Sequence, residues 1–163
     1  MKQLTLVRHA QADNPLPDQR DWDRPLTKRG LLDAREMARR MKERSLRPEL
    51  ILSSPAIRAA QTAEVFAKCF AQAKLLMAEE LYLASAKQML AAIHEHGAAV
   101  GHLMVVGHNP GISEFADELS HERSIDGMPT SGIVTVDFEL SAWRELHPGE
   151  GCNVEFDYPQ RPA

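Results

Sequence analysis

Three short polar clusters in this 163-residue chain carry side chains that could do chemistry. Arg8-His9 follows the run Gln3-Leu4-Thr5-Leu6-Val7. Ser53-Ser54-Pro55, with Arg58 just beyond, follows Leu50-Ile51-Leu52, and Gly107-His108-Asn109 follows His102-Leu103-Met104-Val105-Val106. Arginine presents a planar fork of donors that suits phosphate oxygens and stays charged at physiological pH. Arg58 also falls about one turn into a helix expected to start at Ser54-Pro55, where free N–H groups already favour an anion. With Arg8 beside it, the pocket asks for a phosphoryl group rather than a neutral ligand. A histidine there could be a nucleophile, a general acid or base, or a further donor to the anion. The residues alone do not choose which histidine attacks.

Each cluster also has an ordinary reading when taken singly. Most arginines are solvated surface charges. His9 could be a strand-end residue satisfied by backbone, and Gly107-His108-Asn109-Pro110-Gly111 is rich in turn dipeptides. The ordinary readings lose force only when the clusters converge, so the elements that position them decide the matter.

Each cluster ends a short apolar run that reads as a buried strand. Thr27 is placed to cap a helix to about Arg44, with Leu31, Ala34, Ala38 and Met41 on one face. Further helices are expected from Ala56 to about Phe70, Ser85 to His94 and Ile112 to Leu119. The period then changes to two over Ile133, Val134, Val136, Phe138 and Leu140, and Cys152 to Tyr158 is expected to pair back as a hairpin. The order β-α-β-α-α-β-α-β-β predicts a three-layer αβα sandwich, with a mostly parallel sheet and a C-terminal hairpin. In such sheets ligands bind at the carboxyl ends of the strands, where the three clusters lie. The segment Ala10 to Pro25, with Pro15, Pro17, Asp13, Asp18, Asp21 and Asp23, reads as a long functional surface loop.

Composition narrows the field. With 44% hydrophobic and 26% charged residues, nine Gly and ten Pro, the chain is an ordinary globular protein and 1–163 is expected to form one domain. No apolar run approaches the ~20 residues of a membrane span. The start lacks the pattern of a secretory leader, and two lone cysteines, Cys69 and Cys152, suit a reducing cytoplasm. A net charge of −4 argues against nucleic acid as a partner. Zinc-type His-x-x-x-His or Cys-x-x-Cys spacing, a Gly-x-Gly-x-x-Gly fingerprint, a phosphate loop and a Gly-x-Ser-x-Gly elbow are all missing from the sequence. No metal and no cofactor are expected.

The clusters, in order, resemble the histidine phosphatase superfamily, whose fold is phosphoglycerate mutase-like. Leu6-Val7-Arg8-His9-Ala10 is similar to its Arg-His-Gly/Ala signature. Asp23-Arg24-Pro25-Leu26-Thr27-Lys28-Arg29-Gly30 resembles the Pro-Leu-Thr-x-x-Gly segment that follows it. Ser53 to Ala63 and Val106 to Gly111 are similar to the next two blocks, so the resemblance spans roughly residues 4–132. The short chain, the Arg-His-Ala variant and Gly-His-Asn-Pro-Gly resemble the SixA-type branch of protein phosphohistidine phosphatases; Pro129-Thr130-Ser131-Gly132 does so less specifically. The resemblance implies that His9 is the nucleophile, forming a transient phosphohistidine, and that Arg8, Arg58 and His108 bind the phosphoryl oxygens. It implies a phosphohistidine-bearing protein as substrate, of the histidine-phosphotransfer or phosphotransferase-system kind. A monomer without membrane or nucleic-acid partners is expected.

Many members of the superfamily carry an acidic proton donor after the second helix. Glu79 and Glu80 lie in that region, but their flanks do not match, and Glu80 is left outside the catalytic set. A phosphoramidate nitrogen leaves readily once protonated, which lowers the demand for a strong acid. The chain has little room for segments that cap the site, so an open site suited to a protein surface is expected. Asp13, Asp18, Asp21 and Asp23 would flank its entrance and steer a basic partner. A small-molecule phosphomonoesterase is the nearest alternative, a non-catalytic phosphoprotein binder the alternative from another class. A mutase fits less well, since Arg-His-Gly-Glu-Ser is here Arg8-His9-Ala10-Gln11-Ala12.

Overall fold

The computed structural model describes residues 1–121 and 124–161. Its centre is a six-stranded sheet in the order β3-β2-β4-β1-β5-β6. The strands are β1 (Lys2–Arg8), β2 (Leu50–Ser53), β3 (Lys74–Met77), β4 (His102–Gly107), β5 (Ile133–Phe138) and β6 (Cys152–Asp157). The first four run parallel, while β5 and β6 are antiparallel to their neighbours.

The near-continuous apolar sequence of the inner strands follows from burial on both faces. Leu4, Leu6, Leu52, Leu103, Val105 and Val134 point to one side, and Val7, Ile51, Met104, Val106 and Ile133 to the other. Helices α1 (Lys28–Glu43) and α2 (Ile57–Cys69) cover the second side through Met37, Met41, Ala63 and Phe66. Helices α3 (Ala86–His96) and α4 (Gly111–Leu119) cover the first through Met89, Ile93, Ile112 and Phe115. The three-layer αβα sandwich expected from the element order is therefore what forms. No helix among the described residues is long and apolar enough to cross a membrane.

Helix α1 is capped as anticipated, and α3 carries a cap of its own. Thr27 Oγ1 accepts from Gly30 N, and Ser85 forms a reciprocal capping box with Gln88. Helix α2 departs from expectation, beginning at Ile57 after Ala56 instead of at Ser54-Pro55. Ser54 N still donates to Val106 O, so Ser54 continues the pairing of β2 with β4. Strand β3 was not anticipated, and Leu140 lies beyond the end of β5.

Register brings the polar clusters together. Arg8 lies opposite Gly107 and Ser53 opposite Val106, so β1, β2 and β4 end level with one another. The loop after β1 is anchored by Thr62 Oγ1 of α2, which accepts from Ala10 N. Gly30 lets α1 approach that loop, since a Cβ there would sit 2.1 Å from Gln11 O.

Candidate active site

His9 is the first residue past β1, and its backbone N–H still bonds Gly107 O across the sheet at 3.0 Å. Its ring is held by Nδ1, which lies 2.7 Å from Ala10 O. A carbonyl can only accept, so the hydrogen is on Nδ1 and the lone pair of the neutral ring is on Nε2. Burial is the main cause pushing this histidine down to about 4, and Arg58, Arg8 and Arg24 add to it. The bond to Ala10 works in the opposite direction without prevailing. At neutral pH His9 thus has a free nitrogen of fixed tautomer beside cationic groups.

His108 follows β4, its ring 5.2 Å from that of His9 between centroids. Its Nε2 pairs with Ser54 Oγ at 2.8 Å. Ser54 Oγ also accepts from Ala56 N. Burial, then His9 and Arg58, push His108 down to about 3, so it too is neutral.

Arg8 closes β1, and its Nη1 donates to Met128 O. Arg58, in the first turn of α2, is only 3% exposed. Among the described residues, four buried side-chain polar atoms have no hydrogen-bond partner: Arg8 Nε, Arg58 Nε, His108 Nδ1 and Ser131 Oγ. Unmatched buried donors are rare and costly, and a group of them in one place requires an explanation. Three of the four belong to the residues that the sequence places around one anion. The structure brings Arg8, His9, Arg58 and His108 to adjoining strand ends, as the spacing of the clusters predicts.

A family model for the histidine phosphatase superfamily (branch 1) matches residues 4–82. This chain belongs to the histidine phosphatase superfamily. It is SixA-type in sequence and structure. The SixA protein of Agrobacterium tumefaciens, a candidate phosphohistidine phosphatase, is 32% identical with a TM-score of 0.78, covering 84% of this chain and 92% of that one. The protein histidine phosphatase SixA in complex with tungstate is 26% identical, also with a TM-score of 0.78, over 96% of this chain and 97% of that one. An uncharacterised protein of Mycobacterium tuberculosis is 31% identical over 94% of this chain and its own full length. The fold is phosphoglycerate mutase-like.

The long loop contributes more to the site than its composition suggests. It contains a single 3-10 turn, Asp21–Asp23, and Asp21 lies against Arg58. Arg58 Nη1 donates to Asp21 O and Nη2 to Asp21 Oδ2, both at 2.8 Å. Tyr82 OH donates to the same Oδ2 at 2.6 Å, and Arg24 Nη1 donates to Oδ1 at 2.9 Å. Burial works to raise the Asp21 carboxyl, but the bonds from Tyr82, Arg24 and Arg58 outweigh it and hold the group well below the usual carboxylate range. The Tyr82 ring stands edge-on to both His108 and Trp22.

Two of the four aspartates expected at the entrance have arginine partners. Asp21 is engaged within the site, and Asp23 is paired with Arg20. Glu80 is turned to His96, with Oε1 2.7 Å from Nε2. Asp21 and Tyr82 lack a periodic or spacing signal, because the contacts that join Asp21 to Arg58 and to Tyr82 cross 37 and 61 residues of chain.

Proposed function

We propose that this chain is a phosphatase that hydrolyses phosphohistidine on a protein, through a covalent phosphohistidine at His9. The observation that carries the reading is the fixed His9 tautomer, with Nε2 free and Nδ1 bound to Ala10 O, among buried unmatched donors. His9 Nε2 attacks phosphorus, forming a P–N bond as the bond to the leaving nitrogen breaks. The electron pair of the broken bond stays on the departing imidazole, which takes up a proton. Water then attacks the phosphorylated His9, the P–N bond breaks, and inorganic phosphate leaves with His9 Nε2 free again.

Arg8, Arg58 and His108 serve the phosphoryl oxygens. Phosphoryl transfer depends chiefly on position and charge stabilisation, and donors buried before substrate arrives need no reorganisation during the reaction. The named activities of the SixA relatives support the substrate class. So does the state of the two nearby carboxyl groups: Glu80 is bonded to His96, and Asp21 is held ionised by its partners. Neither is a ready acid for an alkoxide, whereas an imidazole leaving group takes its proton easily.

Phosphate release from a phosphohistidine protein, measured in EDTA for wild type and His9→Ala, tests the reading. Wild-type turnover with none in the variant is expected, along with an acid-labile phosphoenzyme in wild type. Release of phosphate from aryl or sugar phosphates only would replace phosphohistidine by a small-molecule substrate.

A further inference from the structure

The segment 128–132 forms a further wall of the site and is fixed from several directions. Met128 O accepts from both Arg8 Nη1 and Asn109 Nδ2, and Met128 N donates to Ser113 Oγ. Gly132 O accepts from Arg8 N, while Gly132 N closes a turn on Pro129 O. Between them, Ser131 N bonds the carbonyls of both Arg8 and His9, at 3.1 and 3.2 Å. Ser131 therefore lies against the two consecutive carbonyls of the predicted nucleophile and its arginine.

Two features of Ser131 are hard to account for by packing. Its φ is 60°, in the left-handed region that favours glycine or asparagine over serine. Its hydroxyl is buried, with the residue 1% exposed, and makes no hydrogen bond. Glycine would satisfy the same backbone without strain and without an orphaned hydroxyl. Of the four unmatched atoms, the other three are the Nε donors of Arg8 and Arg58 and the ring Nδ1 of His108. The same explanation covers the fourth.

We propose that Ser131 is a phosphoryl-binding residue, its Oγ–H donating to an oxygen of the bound phosphoryl group alongside Arg8, Arg58 and His108. This rests on the reading of the pocket as a phosphoryl site. A hydroxyl on a rigid turn, already desolvated, binds an oxyanion without ordering cost at the moment of transfer. The unusual φ is what directs a side chain from this turn, where glycine would leave none.

The test uses wild type, Ser131→Ala and Ser131→Gly, with inorganic phosphate as probe. Its inhibition constant is measured against aryl phosphate hydrolysis, and each protein's melting temperature is recorded. Both variants are expected to bind phosphate about tenfold more weakly and to lose kcat/KM by a similar factor. Ser131→Gly should meanwhile melt at or above the wild-type temperature, because glycine suits the backbone. Affinity and stability moving in opposite directions is an outcome that a merely structural serine cannot produce. Unchanged phosphate affinity in the variants overturns the proposal, as does an affinity loss that only follows a drop in melting temperature. Failure of wild type itself to bind phosphate overturns the phosphoryl-site reading and the proposal with it, a result distinct from wild-type binding that the variants share.

Discussion

Asp21 holds both terminal nitrogens of Arg58, taking Nη1 on its carbonyl and Nη2 on its carboxylate. That grip fixes the plane of the guanidinium and leaves Nε, buried and unmatched, on the remaining edge. An aspartate beside an arginine proposed to bind phosphate repels the anion to some degree. Its value lies in holding a long, flexible side chain in one rotamer before substrate arrives.

Asp21→Ala should therefore lower kcat/KM about ten- to a hundredfold, and by the same factor on a phosphoprotein and on an aryl phosphate. Asp13→Asn and Asp18→Asn should leave aryl phosphate turnover unchanged. Parallel assays of the three variants on both substrates decide it. A loss confined to the phosphoprotein would restore Asp21 to partner steering.

Much of the site was legible because it lies at the ends of buried strands. Leu4 to Val7, Leu50 to Leu52 and Leu103 to Val106 are buried and, Thr5 aside, apolar, so they stand out and make their polar successors conspicuous. Helix α1 was marked by Thr27 and its amphipathic stripe. Strand β3 escaped notice because Lys74–Met77 is a four-residue edge strand, half exposed and with no alternation to separate it from loop. The contact of Asp21 with Arg58 escaped notice because an acidic loop residue looks solvated until the arginine that it meets, 37 positions away, is known. Ser131 was visible only within a segment that resembles the SixA-type branch; its unmatched hydroxyl is a property of the folded chain.

The His9 ring should titrate near pH 4, far below an ordinary histidine, because burial and three arginines disfavour its charged form. Proton NMR of the ring Cε1–H, assigned by loss of the signal in His9→Ala, gives the midpoint directly. Arg58→Gln should raise it, since one of the neighbouring positive charges is removed. A midpoint of 6 to 7 in the wild-type protein would mean that the ring is solvated and not poised as described.

Gly30 permits α1 to touch the loop behind His9, and a side chain there meets a backbone oxygen that cannot rotate away. With Cβ 2.1 Å from Gln11 O, Gly30→Ala should destabilise the protein by about 1–3 kcal/mol and reduce turnover through displacement of the adjoining Ala10. Gly127→Ala is the control, since nothing lies within 4 Å of a Cβ at that position. Urea midpoints of the two variants should separate clearly. Equal stability would show that the loop yields more readily than its anchor on Thr62 implies.

His102 offers a test of stability that leaves Arg8, His9, Arg58 and His108 in place. It is buried at the start of β4, with Nε2 2.7 Å from Thr5 Oγ1, and burial pushes it down to about 4 despite Glu49 and Asp137. Like His9 and His108, it is neutral in the folded protein and binds a proton near pH 6.5 once unfolded. The unfolded state therefore holds more protons between those values, and stability falls as pH drops from about 6.5 toward 4. Each such histidine contributes up to about 1.4 kcal/mol per pH unit in that window. His102→Gln keeps a polar partner for Thr5 and removes one of the three titrations. Its urea midpoint should decline less steeply than that of wild type between pH 7 and pH 5, even if it starts lower. Parallel declines would mean that His102 is protonated in the folded protein and that the Thr5 contact does not require the neutral ring.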